Sequence, residues 1–247
     1  MIEAKNISKQ FGDRLVLKDI SVKFERGKTN LIIGQSGSGK TVLMKCIAGL
    51  FTIDEGEVFF DKRPVTALLF QERKNLRKEF GMLFQGGALF DFMTVEENVM
   101  FPLTMNTEMT QKEKSDRVNF CLNRVKLENV NHLYPSELSG GMIKRVAIAR
   151  AISLNPKYLF CDEPNSGLDP ITANVIDKLI SEITKEYQIT TIINTHDMNS
   201  VMEIGDKIAF IYQGELWWVG DKNQILGTKN KELNNFVFAT ELTRRLK

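Results

Sequence analysis

The chain carries at positions 34–41 the segment Gly34-Gln35-Ser36-Gly37-Ser38-Gly39-Lys40-Thr41, which fits the pattern G-x-x-x-x-G-K-[ST]. An apolar run, Leu31-Ile32-Ile33, precedes it, and a helical pattern of apolar residues over 42–50 follows it. A phosphate-binding loop requires this strand–loop–helix setting, which a flexible Gly-Ser turn does not need. Its glycines permit positive φ and close approach of the backbone, so that consecutive N–H groups can face phosphate oxygens. We therefore predict that Lys40 contacts the β- and γ-phosphates of a nucleotide and that Thr41 binds Mg²⁺.

Three further apolar runs end in polar side chains, much as the run before residue 34 ends in a glycine. Their polar ends are Gln85, Asp162-Glu163 and His196, after residues 80–84, 158–161 and 191–195. In open α/β sheets, ligands bind at the carboxyl ends of the parallel strands. Four such ends therefore predict a single binding site at one edge of a sheet.

The polar residues at this predicted edge suit the hydrolysis of a nucleotide. Asp162 is expected to hold Mg²⁺, as the aspartate of a Walker B site does, and Glu163 to polarise the attacking water. The imidazole of His196 can bond a phosphate oxygen and orient the water, and the Gln85 amide can contact Mg²⁺ or the water. In isolation the acidic pair would indicate a solvated turn and His196 a structural histidine. The phosphate loop favours the catalytic interpretation of each.

Length and composition favour a globular α/β protein. The 247 residues include 33 Lys+Arg and 31 Asp+Glu, a formal net charge of +2, and 43% are hydrophobic. This balance argues against a nucleic-acid partner, and no apolar stretch approaches the roughly 18–20 residues of a membrane-spanning helix. The first residues contain no apolar signal region. The three cysteines form no C-x-x-C pair, so we expect reduced thiols in the cytosol.

The order of apolar patterns predicts an α/β fold, a P-loop NTPase (RecA-like) core with a mainly parallel sheet and an inserted α-helical subdomain. Short β-like runs within 2–24 and 56–60 predict an antiparallel β flank. A hairpin is expected over 208–219, around the turn Gln213-Gly214-Glu215.

These patterns predict one domain over residues 1–228. Its core would comprise about 1–90 and 156–228, and the helical subdomain about 91–155, where no clear strand is found. Residues 229–247 begin with a polar stretch and are expected to form a C-terminal tail, either docked or frayed.

A further motif, Leu138-Ser139-Gly140-Gly141-Met142, places its serine 23 residues before Asp162 (162 − 139). Together with the motifs above, in this order and spacing, it resembles the ATP-binding cassette (ABC) family over nearly the whole chain. Physically, Ser139 can cap a helix that starts near Met142, and the two glycines leave its first N–H groups open to an anion. The resemblance implies that this signature contacts the γ-phosphate of ATP bound by a second copy. A homodimer would then hold two equivalent ATP sites.

The resemblance also implies a set of site residues. They are Phe11 and Val16 at the adenine; Gly34, Gln35, Ser36, Gly37, Ser38, Gly39, Lys40 and Thr41 around the phosphates; Thr41, Gln85 and Asp162 at Mg²⁺; Glu163, His196 and Gln85 in catalysis; and Ser139, Gly140, Gly141, Met142 and Asp169 across the dimer interface. Phe11 stands where tyrosine is usual, but stacking on adenine needs only an aromatic face. Met142 replaces the commoner glutamine, so one side-chain hydrogen bond is lost while the backbone donors remain.

Three local stretches are similar to MlaF-type cassettes, which energise bacterial phospholipid transport. They are residues 86–90 (GGALF), residues 94–99 (TVEENV) and the LSGGM form of the signature. This similarity implies a membrane permease and a periplasmic lipid-binding MCE subunit as partners, with the ATPase on the cytoplasmic face of the inner membrane. An ABC ATPase for another imported or exported substrate is the alternative. A soluble cassette protein acting on nucleic acid or ribosomes, and a nucleotide binder without hydrolysis, are less favoured.

Overall fold

A computed structural model describes residues 1–238 of the chain. They fall into two compact units. One comprises Met1–Leu69 with the described part of Thr190–Lys247, and the other comprises Phe70–Ile189.

The described chain alternates between strands and helices. The strands are β1 (Ile2–Phe11), β2 (Arg14–Phe24), β3 (Thr29–Ile33), β4 (Glu55–Phe60), β5 (Arg63–Pro64), β6 (Phe80–Leu83), β7 (Tyr158–Asp162), β8 (Thr190–Asn194), β9 (Lys207–Tyr212) and β10 (Glu215–Gly220). The helices are α1 (Lys40–Ile47), α2 (Phe70–Lys78), α3 (Val95–Asn106), α4 (Gln111–Arg124), α5 (Gly140–Ile152), α6 (Pro170–Glu186), α7 (Met198–Ile204), α8 (Lys222–Ile225) and α9 (Lys231–Val237), with a short 3₁₀ turn at Pro135–Glu137.

The first unit contains an antiparallel sheet and a group of mainly parallel strands. The antiparallel sheet has the order β2-β1-β4-β5, which confirms the predicted flank. Strand β3 pairs in parallel with β8 and with β9, and β10 returns antiparallel to β9 as the predicted hairpin. Every residue of β3 and of β8 is buried. Continuous burial is typical of parallel strands that are covered on both faces.

The second unit combines a parallel strand pair with helices. Strands β6 and β7 are parallel, and α5 contributes seven buried residues to the helical core, Val146 and Ile148 among them. Thr94 and Thr110 cap α3 and α4 with reciprocal hydrogen bonds to the glutamate three residues later, a pattern that fixes helix starts. The predicted helical segment 91–155 lies within this unit. Its proposed boundaries remain predictions.

The predicted tail begins with a helix. In α9, Leu233 and Val237 are buried, because these two positions, four residues apart, share one face of the helix. Residues 239–247, the rest of the predicted tail, lie outside the described residues. Within the described chain, no helix is both long enough and apolar enough to cross a membrane.

Together the elements form an α/β fold with a phosphate-loop strand–helix unit, parallel and antiparallel strands and a helical segment. The predicted fold class is confirmed.

Candidate active site

The phosphate loop joins β3 to α1, and its backbone needs glycine at two positions. At Gly34 φ is +150°, and a Cβ atom there would lie 2.2 Å from the backbone oxygen of Ile211. At Gly39 φ is +105°, and a Cβ atom would lie 2.9 Å from Leu17. Gly39 also occupies the N-cap of α1, which no side chain caps. No side-chain oxygen caps the first N–H groups of α1, so these N–H groups can bind a phosphate.

Two buried polar side chains of the same loop, those of Lys40 and Ser38, can bind an anion. The Nζ atom of Lys40 donates to the backbone oxygens of Gly34 and Gln35, both at 2.9 Å, and the lysine is buried. The hydroxyl of Ser38 is buried without a hydrogen-bond partner, a state that costs free energy unless a ligand satisfies it. A buried cation beside an unsatisfied hydroxyl fits the phosphate chain of ATP.

The first unit also contains three further predicted site residues, Val16, Phe11 and His196. The backbone oxygen of Val16 would lie 3.2 Å from a Cβ atom at Gly39, so Val16 borders the phosphate loop. Phe11 ends β1 with its ring 43% exposed. His196 follows β8, in which Asn194 pairs with Ile32. His196 and Gly34 each stand two residues beyond that pair, at the same carboxyl edge.

The second unit brings Gln85 and the two acidic residues to one edge in the same way. Leu83 of β6 pairs with Cys161 of β7, so Gln85 and Glu163 each stand two residues beyond a paired position. Asp162 is buried at the end of β7. Glu163 has a φ of +46°, an unusual value for a residue with a side chain. Such backbone conformations cost free energy and cluster at functional sites.

The Gln85 loop is held by the side chains of Ser166, Lys144 and Arg150, and the last two are not among the predicted site residues. The amide nitrogen of Gln85 donates to the Ser166 hydroxyl at 3.1 Å, and its backbone oxygen accepts from Nζ of Lys144 in α5. From the same helix, the Arg150 guanidinium donates to the backbone oxygens of Gly87 and Ala88, both at 2.7 Å. No short-range signal points to these contacts, because Lys144 and Arg150 are six residues apart and do not share one face of the helix, and their target lies far away in sequence.

Lys144 lies in an environment that opposes its charge. Burial lowers the pKa of its ammonium group, while nearby Cys161 and Glu163 act in the opposite direction. Burial alone lowers the pKa of Arg150. Hydrogen bonds to backbone carbonyls compensate such cations, so the bonds from buried Lys144 and half-buried Arg150 hold the Gln85 loop and also satisfy the two charges.

The signature motif starts α5 slightly earlier than predicted. Ser139 is the N-cap, and its hydroxyl accepts from the N–H of Met142 at 3.3 Å. The helix begins at Gly140 instead of near Met142, so both glycines lie in its first turn. A Cβ atom at Gly141 would lie 2.7 Å from Thr172 in α6. Glycine at this position lets the signature pack closely against the start of α6.

Asp169 caps α6 from the loop beside the signature. Its carboxylate accepts from the N–H groups of Ile171 and Thr172, each at 3.0 Å. Hydrogen bonds from Thr172, then from Ile171, lower the pKa of this carboxyl. The structure therefore gives Asp169 a capping role, and its contact across a dimer interface stays a prediction.

The sequence predicts that Mg²⁺ is bound by Thr41, Gln85 and Asp162. Within the second unit, Gln85 and Asp162 lie at the carboxyl ends of the paired strands β6 and β7. Mg²⁺ prefers oxygen donors and usually takes one or two carboxylates together with substrate phosphates. Among residues 1–238, no three His, Cys, Asp or Glu side chains form a group that could hold a metal ion. This donor set suits an ion that is bound jointly with a nucleotide.

Sequence comparison identifies relatives over most of the chain. The model of the ABC transporter domain matches residues 17–166. The methionine import ATP-binding protein MetN of Campylobacter jejuni is 38% identical, over 96% of this chain and 75% of MetN. The intermembrane phospholipid transport system ATP-binding protein MlaF of Haemophilus influenzae is 36% identical, over 96% of this chain and 90% of MlaF.

Structural comparison agrees. The dimeric structure of MJ0796, a bacterial ABC transporter cassette, superposes with a TM-score of 0.82 at 32% identity and covers 90% of this chain and 99% of the cassette. The same cassette in a post-hydrolysis state bound to ADP and Pi gives a TM-score of 0.80. With a phosphate loop, an acidic pair and a capped signature helix in place, the chain belongs to the ABC transporter family as an ATPase subunit that uses ATP and Mg²⁺.

Proposed function

We propose that this ABC ATPase acts as a homodimer at the cytoplasmic face of a bacterial inner membrane and drives phospholipid transport through a separate permease. The proposed substrate, phospholipid, rests on the similarity to MlaF over 96% of the chain. The three stretches that resemble MlaF-type cassettes support it. An MCE-type lipid-binding subunit completes the proposed assembly.

The proposed reaction gives a role to each predicted catalytic and phosphate-binding residue. Backbone N–H groups of the loop from Gly34 to Thr41 and the Lys40 ammonium hold the phosphates. Mg²⁺, when bound with the nucleotide, would supply positive charge against the β- and γ-phosphates. Glu163 accepts a proton from the attacking water. Gln85 and His196 orient that water and the γ-phosphate.

The signature supplies the proposed link between two copies. Ser139 and Gly140 are exposed, so the capped N-terminus of α5 is accessible to a second protomer. The helix dipole and the first N–H groups favour an anion at this position. We propose that Ser139, Gly140, Gly141 and Met142 contact the γ-phosphate held by the partner, with Asp169 beside them. Closure of the dimer would then depend on ATP, and hydrolysis would release it.

An exposed aromatic cluster, formed by Phe90, Phe92 and Phe101, is the proposed contact with the permease. The Phe90 ring lies 5.7 Å from that of Phe92 and 5.0 Å from that of Phe101, and Phe92 is 75% exposed. Buried Asn98 fixes this segment, because its side chain bonds the backbone N–H and oxygen of Phe90 and the oxygen of Met93. A rigid apolar cluster of this kind suits capture of a short amphipathic helix.

Affinity purification from the native membrane in mild detergent tests the proposal. Mass spectrometry of the tagged protein should find a permease, an MCE-type subunit and phospholipid. The variant Phe92→Ser should lose the permease, whereas Phe120→Ser, which alters an exposed ring on α4, should retain it. Equal recovery with both variants would exclude the aromatic cluster as the contact.

Import of another small substrate is the second candidate. This candidate is favoured by the similarity to MetN, whose identity to this chain and coverage of it are close to those of MlaF. Recovery of a permease with a substrate-binding protein, and without phospholipid, would support this candidate against lipid transport. Recovery of ribosomes or DNA in place of membrane proteins would contradict both.

A further inference from the structure

An ion pair lies next to Phe11, the residue that is proposed to stack on adenine. Lys9 is buried in β1, two residues before Phe11, and its Nζ atom lies 2.8 Å from a carboxylate oxygen of Asp54. The same Nζ atom lies 5.2 Å from the centre of the Phe11 ring. The cation therefore lies over one face of the Phe11 ring.

Asp54 also holds the backbone that leads to Phe11. Its second carboxylate oxygen accepts from the N–H of Gln10 at 2.6 Å, and its own N–H donates to the backbone oxygen of Ser8 at 3.1 Å. Hydrogen bonds from Lys9 and then Gln10 lower the pKa of this carboxyl. One residue outside the strand therefore bonds to the three positions that precede the ring.

A second ring fixes the orientation of Phe11. Phe51 meets it edge to face, with ring centres 5.5 Å apart and planes at 76°. Lys45 of α1 lies over the Phe51 ring at 5.5 Å. Phe11 is thus held by a cation and by a neighbouring ring, yet it remains 43% exposed. The exposed part is available to a planar base.

We infer that Lys9 and Asp54 are positioning residues for the nucleotide base, because they set the orientation of Phe11 and place a cation against its ring. A cation on one side draws the negative charge of the aromatic face toward itself. The ring then stacks more favourably on the electron-rich adenine. This inference rests on the proposed role of Phe11. It adds that base affinity depends on an ion pair between buried Lys9 and exposed Asp54 that itself makes no contact with the nucleotide.

The test compares the binding of Mg·ATP with that of magnesium tripolyphosphate, which has the phosphates but no base. Calorimetry on the full chain would measure both dissociation constants for Lys9→Met and Asp54→Asn. Each variant should weaken the binding of Mg·ATP about fivefold and leave the dissociation constant of magnesium tripolyphosphate unchanged. Lys9→Arg keeps the cation and should restore ATP affinity. Lys23→Met removes a similar ion pair, 3.1 Å from Glu3, and should change neither constant.

The outcomes distinguish the positioning role of Lys9 and Asp54 from the stacking of Phe11 on the base. Phe11→Ala should weaken Mg·ATP alone, and if it does not, base stacking on Phe11 is wrong. If Phe11→Ala weakens Mg·ATP but Lys9→Met and Asp54→Asn leave the ratio of the two constants unchanged, the positioning role is overturned. Should Lys9→Met fail to fold, Asp54→Asn decides the question, because its amide oxygen can still accept from the Gln10 N–H while the ion pair is lost.

Discussion

The ammonium group of Lys144, in the helix that begins with the signature, donates a hydrogen bond to the backbone oxygen of Gln85. The residue proposed to sense the γ-phosphate and the helix proposed to contact the partner's ATP are thereby joined by one buried side chain. Arg150 adds two further bonds to the same loop. A shift of α5 would therefore carry the Gln85 loop with it.

The variant Lys144→Met should reduce the ATPase rate by about ten- to a hundredfold, because loss of a buried, charge-assisted hydrogen bond removes about 1.5–3 kcal/mol from the placement of Gln85. Affinity of the isolated protein for ATP should change little, since the phosphate loop is untouched. Steady-state kinetics together with ATP binding would measure both. Lys144→Arg should retain most of the rate, and Arg145→Met, on the same helix, provides the matched control. An unchanged rate in Lys144→Met would show that the Lys144 bond does not matter for turnover.

The variant Ser139→Arg should block hydrolysis and spare ATP binding to the monomer. The long side chain would occupy the exposed N-terminus of α5, where the proposed partner's γ-phosphate lies. Loss of the cap should also cost about 1 kcal/mol of stability, which Ser139→Ala would report separately by chemical unfolding. Normal turnover in Ser139→Arg would remove the proposed role of the signature across the interface.

The variant Gly34→Ala should weaken ATP binding by about five- to a hundredfold, since backbone strain of this kind costs about 1–3 kcal/mol. A Cβ atom would lie 2.2 Å from the Ile211 oxygen and 2.8 Å from the Ser38 hydroxyl, so the loop must move. Gly227→Ala is the control, because no atom lies closer than 4.0 Å to a Cβ atom there. Equal ATP affinity in the two variants would mean that the loop tolerates the displacement.

The buried thiols should make stability fall at alkaline pH. Burial raises the pKa of Cys46 and of Cys121 from 9.0 to about 11. Because the folded-state pKa is raised, the contribution of each thiol is complete below pH 9 and is lost as the pH rises toward 11. Each should contribute about 2–3 kcal/mol to that loss. Urea unfolding from pH 8 to 11 would measure it.

The double variant Cys46→Val/Cys121→Val controls for the lysines and tyrosines that titrate in the same range. Its stability should fall less steeply above pH 9 than that of the unaltered protein. Parallel curves would contradict the assignment of the pH dependence to these two thiols.

The parts of the molecule that depend on local pattern could be predicted from the sequence. The phosphate loop, the acidic pair after β7 and the hairpin of β9 and β10 each follow from short-range signals. The start of α5 is predicted near Met142 and lies two residues earlier, at Gly140. Once Ser139 caps the helix, both glycines can join its first turn.

Contacts between distant segments could not be read in the same way. Lys144 and Gln85 are 59 positions apart, and Lys9 and Asp54 are 45 apart. Each charge could have been solvated or paired elsewhere, and only the packing of helix and strand selects the partner. The buried face of α9 could not be predicted either. Its segment is mostly polar, and Leu233 and Val237 alone form too short a pattern to predict a docked helix.

The central claim is that ATP closes a dimer of this chain, and one measurement tests it most directly. The Glu163→Gln variant should bind Mg·ATP without hydrolysing it, and light scattering should then find a particle of twice the 28.2 kDa chain mass. Addition of Ser139→Arg to the same chain should return it to a monomer. A Glu163→Gln protein that binds Mg·ATP and remains at 28.2 kDa would contradict the account.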